Sequence, residues 1–456
     1  MEKNSRAKLL GEEKVTKALF KLSVPAIVGM MINAIYNVVD TFFVGKLNST
    51  SATGAVAVAF PIFMLIGGVG LTFGMGGGSY ISRLLGEKKK QTADKVASTT
   101  LFTSLAVGII FTILGVIFLE PLLKAFGSTE TILVYAKDYT RILIFGSVFT
   151  VMNMTQNNII RAEGNPLYSM IGMSVGAILN MILDPIFMFV FNMGITGAAL
   201  ATVFAQGISF IFLSSYFIRK KSYVEISLNN ITITKHIYGE IMKIGIPTFV
   251  RQTLSSVSIS LINIAAAPYG DSAVASMGIV LRIVSLGMFV IFGYNQGFQP
   301  LAGFNYGAKN FERLHKAVRI SLKFTTVFST CIALVFIVFA NPIINIFSSD
   351  SEVIAIGVTA LRAICIFFPT FGFQNVYATL YVALGKGLGA LILSMSRQGI
   401  FLIPAILIMP KLFNIKGVLF AQTVADLCTI IVTIILASLI TRTLIEEEET
   451  YRNIEN

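Results

Sequence analysis

The amino-acid sequence predicts an all-α membrane protein, with twelve transmembrane helices in two six-helix bundles related by a parallel internal repeat. Three observations carry that reading. Of the 456 residues 55% are hydrophobic and only 13% charged, with a mean hydropathy of +0.79, a balance outside the soluble globular range. The apolar residues gather into twelve long runs. The two halves of the chain also resemble each other at a spacing of about 221 residues, and a long-period repeat constrains the architecture before any local reading does.

Crossing a hydrocarbon slab of ~30 Å takes about 20 helical residues. The runs long enough to do so cover 22–44, 55–81, 97–119, 142–160, 169–193, 195–218, 241–267, 273–298, 320–340, 353–383, 388–410 and 417–440. They are continuously apolar and lack the short alternating segments of a membrane barrel, so they read as helices. The first run follows a hydrophilic start and is too long for a cleaved signal peptide, so it reads as a permanent span.

Basic residues alternate by loop. Lys3, Arg6, Lys8, Lys14 and Lys17 precede the first run, and Arg83, Lys88, Lys89 and Lys90 follow the second. Arg219, Lys220, Lys221 and Lys235 follow the sixth, and Lys309, Arg313, Lys316 and Arg319 follow the eighth. The intervening loops are nearly bare, with Lys46 and Lys124 the main exceptions in the first half. The positive-inside rule then places both termini in the cytoplasm, as an even number of spans requires. Membrane orientation accounts for most of the +12 net charge, which leaves no call for nucleic acid as a partner. Cys331, Cys365 and Cys428 all lie in apolar runs and read as small buried hydrophobes, not a disulfide or metal set.

The repeat is visible in short stretches. FKLSVP (20–25) returns as MKIGIP (242–247), FLEPLLKAFGS (118–128) as FANPIINIFSS (339–349), and GITGAALA (194–201) as NIKGVLFA (414–421). Gly86 and Lys88 likewise return as Gly307 and Lys309. Each unit holds an even number of spans, so both run through the bilayer in the same direction, related by an axis along its normal. The expected organisation is an N-terminal bundle over 1–218, a cytoplasmic linker over 219–238 and a C-terminal bundle over 239–456.

Two acids, Asp40 and Asp184, interrupt the apolar runs. A carboxylate in hydrocarbon is costly unless it faces water or a partner, so each marks a candidate site. At 1.5 Å per residue Asp40 lies roughly 27 Å and Asp184 roughly 23 Å beyond the cytoplasmic start of its run, and Thr202 enters from the other side to a similar level. Asn33, Tyr36, Asn37 and Asp40 share one helix face, and Asn180 sits one turn before Asp184. Pro185 lacks an N–H and clashes with the carbonyl of Met181, freeing an acceptor beside the carboxylates. A cation or a proton suits such a place. The fourth run ends in further neutral polar residues, Asn153, Gln156, Asn157 and Asn158. For Asn180 and Thr202 ordinary interhelical hydrogen bonding is an equal alternative, and Asn33, Asn37 and Gln156 read as packing or cavity-lining groups.

Taken in order, P-x14-D-x4-G (Pro25, Asp40, Gly45), SRLLGEKK (82–89), RAEGNP (161–166), NMILDPIF (180–187) and QPLAGFNYGAK (299–309) resemble the multidrug and toxic compound extrusion (MATE) family along the whole chain. The similarity is strongest to its bacterial MepA-like branch, with an amino-terminal site similar to that of DinF-type members. The resemblance implies a V-shaped cleft between two bundles and secondary active efflux of amphipathic, often cationic drugs by antiport with H+ or Na+ through alternating access. By position, Asp40, Asn180, Asp184 and Thr202 match the coupling-ion site. Tyr36, Tyr139, Asn153 and Asn157 match positions around the drug cavity, to which Asn33 is added as a lining residue. Where NorM-type members carry a glutamate in the seventh span, this chain has Ser255, so coupling through a carboxylate there is not expected.

The second half embeds Arg251, Arg282, Arg362, Arg397 and Asp426. Buried pairing of Asp426 with one arginine, or snorkelling, accounts for them, and a substrate role for one arginine stays open. A flippase for a lipid-linked oligosaccharide of the same superfamily is the alternative, since arginines could hold a pyrophosphate, but it leaves the acid pair unexplained. An enzyme is not expected: His236 and His315 fall in basic loops, and no metalloprotease or nucleophile motif is present. The remaining expectations are no cofactor beyond the coupling ion, no structural metal, small-molecule drugs and the bilayer as partners, a monomer, and a multi-pass place in the bacterial cytoplasmic membrane.

Overall fold

The computed structural model describes residues 2–47, 49–126 and 128–455. Its helices are α1 (Glu2–Gly11), α2 (Val15–Gly45), α3 (Thr50–Gly86), α4 (Lys90–Ile117), α5 (Leu119–Ala125), α6 (Glu130–Phe145), α7 (Ser147–Ala162), α8 (Pro166–Pro185) and α9 (Gly194–Ile218) in the first half. The second half holds α10 (Lys235–Ala266), α11 (Asp271–Gly307), α12 (Phe311–Val338), α13 (Ala340–Asn345), α14 (Ser351–Cys365), α15 (Phe368–Ala383), α16 (Gly387–Met395), α17 (Leu402–Phe413) and α18 (Ile415–Glu455). Among the described residues there is no strand, and all twelve apolar runs fall on helices or on helices joined by a short break.

Nine of these segments are long and apolar enough to cross a bilayer, and a tenth is reached if α14 and α15, bent by 48° at their junction, form one broken span. Pro369 sits in the first turn of α15, where its missing N–H costs nothing. The two remaining runs depart from the simple picture for identifiable reasons. The fourth is divided at Gly146, and its first part begins at Glu130, well before the apolar run. Lys137, Asp138 and Arg141 hide that helix from a hydropathy window, although Leu133, Ala136, Tyr139 and Thr140 give it a buried face. The seventh, α10, interleaves Arg251, Gln252, Ser255, Ser256, Ser258, Ser260 and Asn263 with its apolar residues.

Elsewhere the helices present apolar faces outward at three- and four-residue spacing. Ile110, Ile113, Leu114 and Ile117 on α4 are each about half exposed, as are Ile431, Ile434, Ile435 and Leu439 on α18. Continuous apolar exposure of this extent suits lipid, not water. Cys331, expected inside, lies exposed on α12, while Cys365 is buried.

The halves meet at the end of the molecule that carries the basic loops. α2 packs along α11 and α3 along α10. A Cβ added to Gly86 would lie 2.0 Å from the carbonyl oxygen of Phe304, and one added to Gly307 would lie 2.1 Å from that of Arg83. Residues 86 and 307, like 83 and 304, are repeat equivalents, so each half makes the same backbone contact with the other around an approximate two-fold axis. Ser23 donates to the Tyr294 carbonyl at 3.0 Å and Ser79 to that of Val382. Further along, Gln252 reaches Met64 and Gln296 reaches Met30. Beyond those contacts Asn37 on α2 and Ser260 and Asn263 on α10 are exposed.

The helix α1 straps the closed end. Arg6 donates to the Tyr216 hydroxyl and, at 2.9 Å, to the Lys221 carbonyl in the first half. The Leu10 carbonyl accepts from Asn305 at 3.0 Å and from Arg313 at 3.3 Å in the second. Behind Arg6, the Glu163 carboxylate accepts from Tyr216, Ser222 and the Tyr223 and Val224 amides, and its burial pushes the carboxyl pKa up. The segment expected as the cytoplasmic linker is laid along α4, with Glu225 N donating to Asp94 at 2.7 Å and Thr232 N to Thr99 at 3.0 Å, and α10 begins at Lys235.

Because these glycines bring backbone against backbone, Gly86→Val and Gly307→Val are each expected to hold the basic end apart. Spin labels placed across that end should report a distance several ångström longer than in the parent protein. An unchanged distance distribution would show that the contact does not set closure.

Candidate functional site

The first half assembles its polar site from α2, α6, α8 and α9. α8 starts with Pro166 in its first turn and an Asn165 cap, whose side chain accepts from Tyr168 N at 3.3 Å. At its far end Pro185 removes a backbone donor, and the chain continues as a π-helical turn over Ile186–Val190, as expected where the regular ladder is interrupted. α9 then returns antiparallel against α8, which brings Thr202 beside Asn180.

Asp184 is fully buried, at 0% exposure, with Asn180 and Thr202 almost as deep. In the amide orientation that satisfies both of its ends, Asn180 donates to Asp184 Oδ2 at 2.8 Å and accepts from Thr202 N at 3.0 Å. The other carboxylate oxygen of Asp184, Oδ1, has no hydrogen-bond partner among the described residues. A buried unpaired carboxylate oxygen is among the most costly groups a fold can carry. Asp40 is half-buried on the facing side of α2, close enough for its charge and that of Asp184 to repel. The hydroxyls of Tyr36 and Tyr139 lie in the field of both acids, Tyr36 also beside Thr202.

Six residues singled out in the sequence therefore converge: Asp40, Asn180, Asp184, Thr202, Tyr36 and Tyr139. Asn33 is half-buried two turns before Asp40 and its carbonyl accepts from Asn37 at 2.8 Å. Asn153 and Asn157 lie in a seam between α7, α8 and α9, beginning one turn of α9 nearer the basic end. There Asn153 donates to Gln206 Oε1 at 2.6 Å, Asn157 donates to the Asn153 carbonyl at 2.9 Å, and Ser169 donates to Asn157 at 2.8 Å. Arg161 closes the seam by donating to Ser169 and Asn158. Sequence reasoning missed Gln206 and Ser169, whose only sequence signal was polarity in an apolar run, and met Arg161 only as the first residue of RAEGNP.

The second half has no acid pair in the corresponding place, since Leu261 to Asn263 and Ile403 to Pro404 stand there. Its buried acid, Asp426, is paired with Arg397 through Nε–Oδ1 at 2.7 Å, with both side chains almost enclosed. Gln422 adds a third donor at 2.9 Å. Arg397 rides on a second π-helical turn, Ser396–Phe401. Arg282 and Arg362 are exposed, and Arg251 is half-buried with its guanidinium over the Phe292 ring. His236 and His315 start helices and do not lie in loops, the first 3.2 Å from the Tyr80 hydroxyl and the second 3.6 Å from Glu448. Among the described residues no group of three or more His, Cys, Asp or Glu could hold a metal.

Comparison with known proteins adds an independent line. The family described as MatE matches residues 25–186 and again 247–408, one match in each repeat. The multidrug export protein MepA of Staphylococcus haemolyticus is 30% identical over 438 residues, 96% of each chain. That of Staphylococcus aureus is 29% identical over 437 residues, 95% of this chain and 96% of its own. Among solved structures, a multidrug resistance MATE family transporter of the MOP superfamily in an outward-facing conformation superposes with a TM-score of 0.91 at 26% identity, over 96% of this chain and 98% of that one. A MATE structure in complex with MaL6 superposes with a TM-score of 0.90 at 27% identity, over 96% and 99%.

Replacing Asn180 with Leu removes the only hydrogen-bond donor that Asp184, a buried carboxylate, has among the described residues. The expected loss is about 1–3 kcal/mol, read as a lower melting temperature in detergent. It should shrink in an Asp184→Asn background, where no charge is stranded. Equal losses in both backgrounds would show that the amide does not serve the carboxylate.

Proposed function

Because the chain belongs to the MatE family, we propose that it is a secondary active multidrug efflux transporter, exporting amphipathic and often cationic compounds by antiport with H+ or Na+. The observation that carries the reading is the buried Asp184 carboxylate, held through one oxygen by Asn180 and left open at the other beside Asp40. The names of the staphylococcal relatives support multidrug export. In this reading the chain crosses the bacterial cytoplasmic membrane twelve times with both termini inside. Its bundles comprise 1–218 and 239–456, joined by 219–238.

Asp40, Asn180, Asp184 and Thr202 hold the coupling ion. A proton or sodium ion entering from outside neutralises part of the charge shared by the two carboxylates and relieves their repulsion. The faces of α2 and α8 that carry them are then free to draw together, which narrows the surface lined by Asn33, Tyr36 and Tyr139 and expels the drug. Asn153 and Asn157, engaged with Gln206 and Ser169, hold α7 against α8 and α9 and set the depth of that surface. Ion binding drives the cycle only so far as its affinity differs between the outward and inward states. The same carboxylates supply that difference if they face water in one state and packed helix in the other.

Asp40→Asn and Asp184→Asn are each expected to abolish gradient-driven ethidium efflux while leaving expression intact. The assay is membrane vesicles under an imposed pH gradient and, separately, an imposed sodium gradient. Efflux at the parent rate in either variant, under the gradient that drives the parent, would overturn the assignment.

A further inference from the structure

We propose that the polar seam between α7, α8 and α9 is the route by which the coupling cation passes between the acid pair and the cytoplasm, and that Arg161 is a fixed positive barrier across that route. The proposal rests on the transport reading above and adds to it a path and the residue that guards it. The seam starts at the acids. Thr202 stands against Asn180, Gln206 one turn further along α9 accepts from Asn153 at 2.6 Å, and Ser214 two turns beyond that accepts from Gln156 at 2.8 Å. Thr202 and Ser214 lie twelve residues apart on α9, or roughly 18 Å in the direction of the basic end.

What the seam lacks is donors. Asp184 Oδ1, Asn153 Oδ1 and Gln156 Oε1 have no hydrogen-bond partner among the described residues, and all three side chains are buried. Bare buried oxygens are satisfied by ordered water or by a cation. A line of three, leading from the acid pair toward the cytoplasm, is a lining that a proton or sodium ion can follow. At the far end the sign reverses. Arg161 is buried in the last turn of α7, where the carbonyl end of the helix makes a cation tolerable. It donates to Ser169 at 3.2 Å and to Asn158 at 3.0 Å, both neutral, and Ser169 in turn donates to Asn157 at 2.8 Å. Among the described residues its guanidinium has no carboxylate partner. The nearest acid in sequence, Glu163, accepts instead from Tyr216, Ser222 and two amides and lies 4.0 Å from Arg6. No neighbouring carboxylate therefore cancels the charge that Arg161 presents to the seam. Asn153 lies eight residues before Arg161 on α7, roughly 12 Å along the helix. At that range, in a medium of effective dielectric constant about 20, one unit charge slows the passage of a cation roughly tenfold.

The full-length protein and its variants are reconstituted into liposomes without drug, with the membrane potential clamped. Passive collapse of an imposed pH gradient and, separately, of an imposed sodium gradient is followed with entrapped dyes. Arg161→Gln is expected to leak about tenfold faster than the parent under one of the two gradients. Arg161→Lys, which keeps the charge, is expected to stay within about twofold of the parent. Asn158→Asp sets a carboxylate of the same shape beside the guanidinium and is expected to leak like Arg161→Gln with the arginine in place, so it decides the matter if Arg161→Gln does not fold. Adding Asp184→Asn to either leaking variant is expected to return the leak to the parent rate. The parent rate in either folded variant, an equal leak in Arg161→Lys, or a leak that survives Asp184→Asn would overturn the proposal. Drug efflux is measured apart. If the parent moves no ethidium under either gradient the transport reading fails, and the leak comparison still decides whether Arg161 guards the seam.

Discussion

A carboxylate closed off from water within a membrane-spanning helix must be matched, neutralised or exposed in turn, and that constraint organises the first half of this molecule. Asp184 is matched on one side only, by the Asn180 amide that Thr202 orients. Every helix of the site is placed with respect to this arrangement. α8 ends in a proline and a π-helical turn immediately after the acid, α9 returns to deliver the threonine, and α2 brings the second acid to the same depth. Oδ1 of Asp184 is left without a hydrogen-bond partner among the described residues, within reach of the charge of Asp40.

The two halves are built on one repeat and differ in what they embed. Their shared features are contacts: the reciprocal approach of Gly86 to Phe304 and Gly307 to Arg83 needs small residues at equivalent positions in both. Their charges are not shared. Among the described residues the acid pair of the first bundle, Asp40 and Asp184, has no basic partner, whereas the second bundle pairs Arg397 with Asp426 and sets Arg251 against an aromatic face. Duplication supplies a symmetric contact between the halves, and divergence inside each copy supplies different embedded charges.

Closure at the basic end depends on backbone approach reinforced by polar bridges. Glycines let helix meet helix there, serines donate across the gap to carbonyls, and α1 ties Tyr216 and Lys221 of one half to Asn305 and Arg313 of the other. The buried Glu163 carboxylate behind Arg6 anchors that strap to the connecting segment.

The sequence by itself determined the membrane class, the apolar runs, the parallel repeat and the family, because each is written in local composition or in spacing along one chain. It also singled out Asp40 and Asp184, since acids in hydrocarbon stand out without any knowledge of their neighbours. Tertiary structure decided what those acids touch. The pairing of Asp184 with Asn180 is a matter of rotamer, the arrival of Thr202 depends on how α9 returns, and the choice of Arg397 among four arginines depends on a π-helical turn that periodicity does not reveal. The early start of α6, with Tyr139 on its buried face, was hidden by charges on the opposite face of the same helix. A helix face is legible from spacing, but the partner across a gap is chosen by packing, which no single segment encodes.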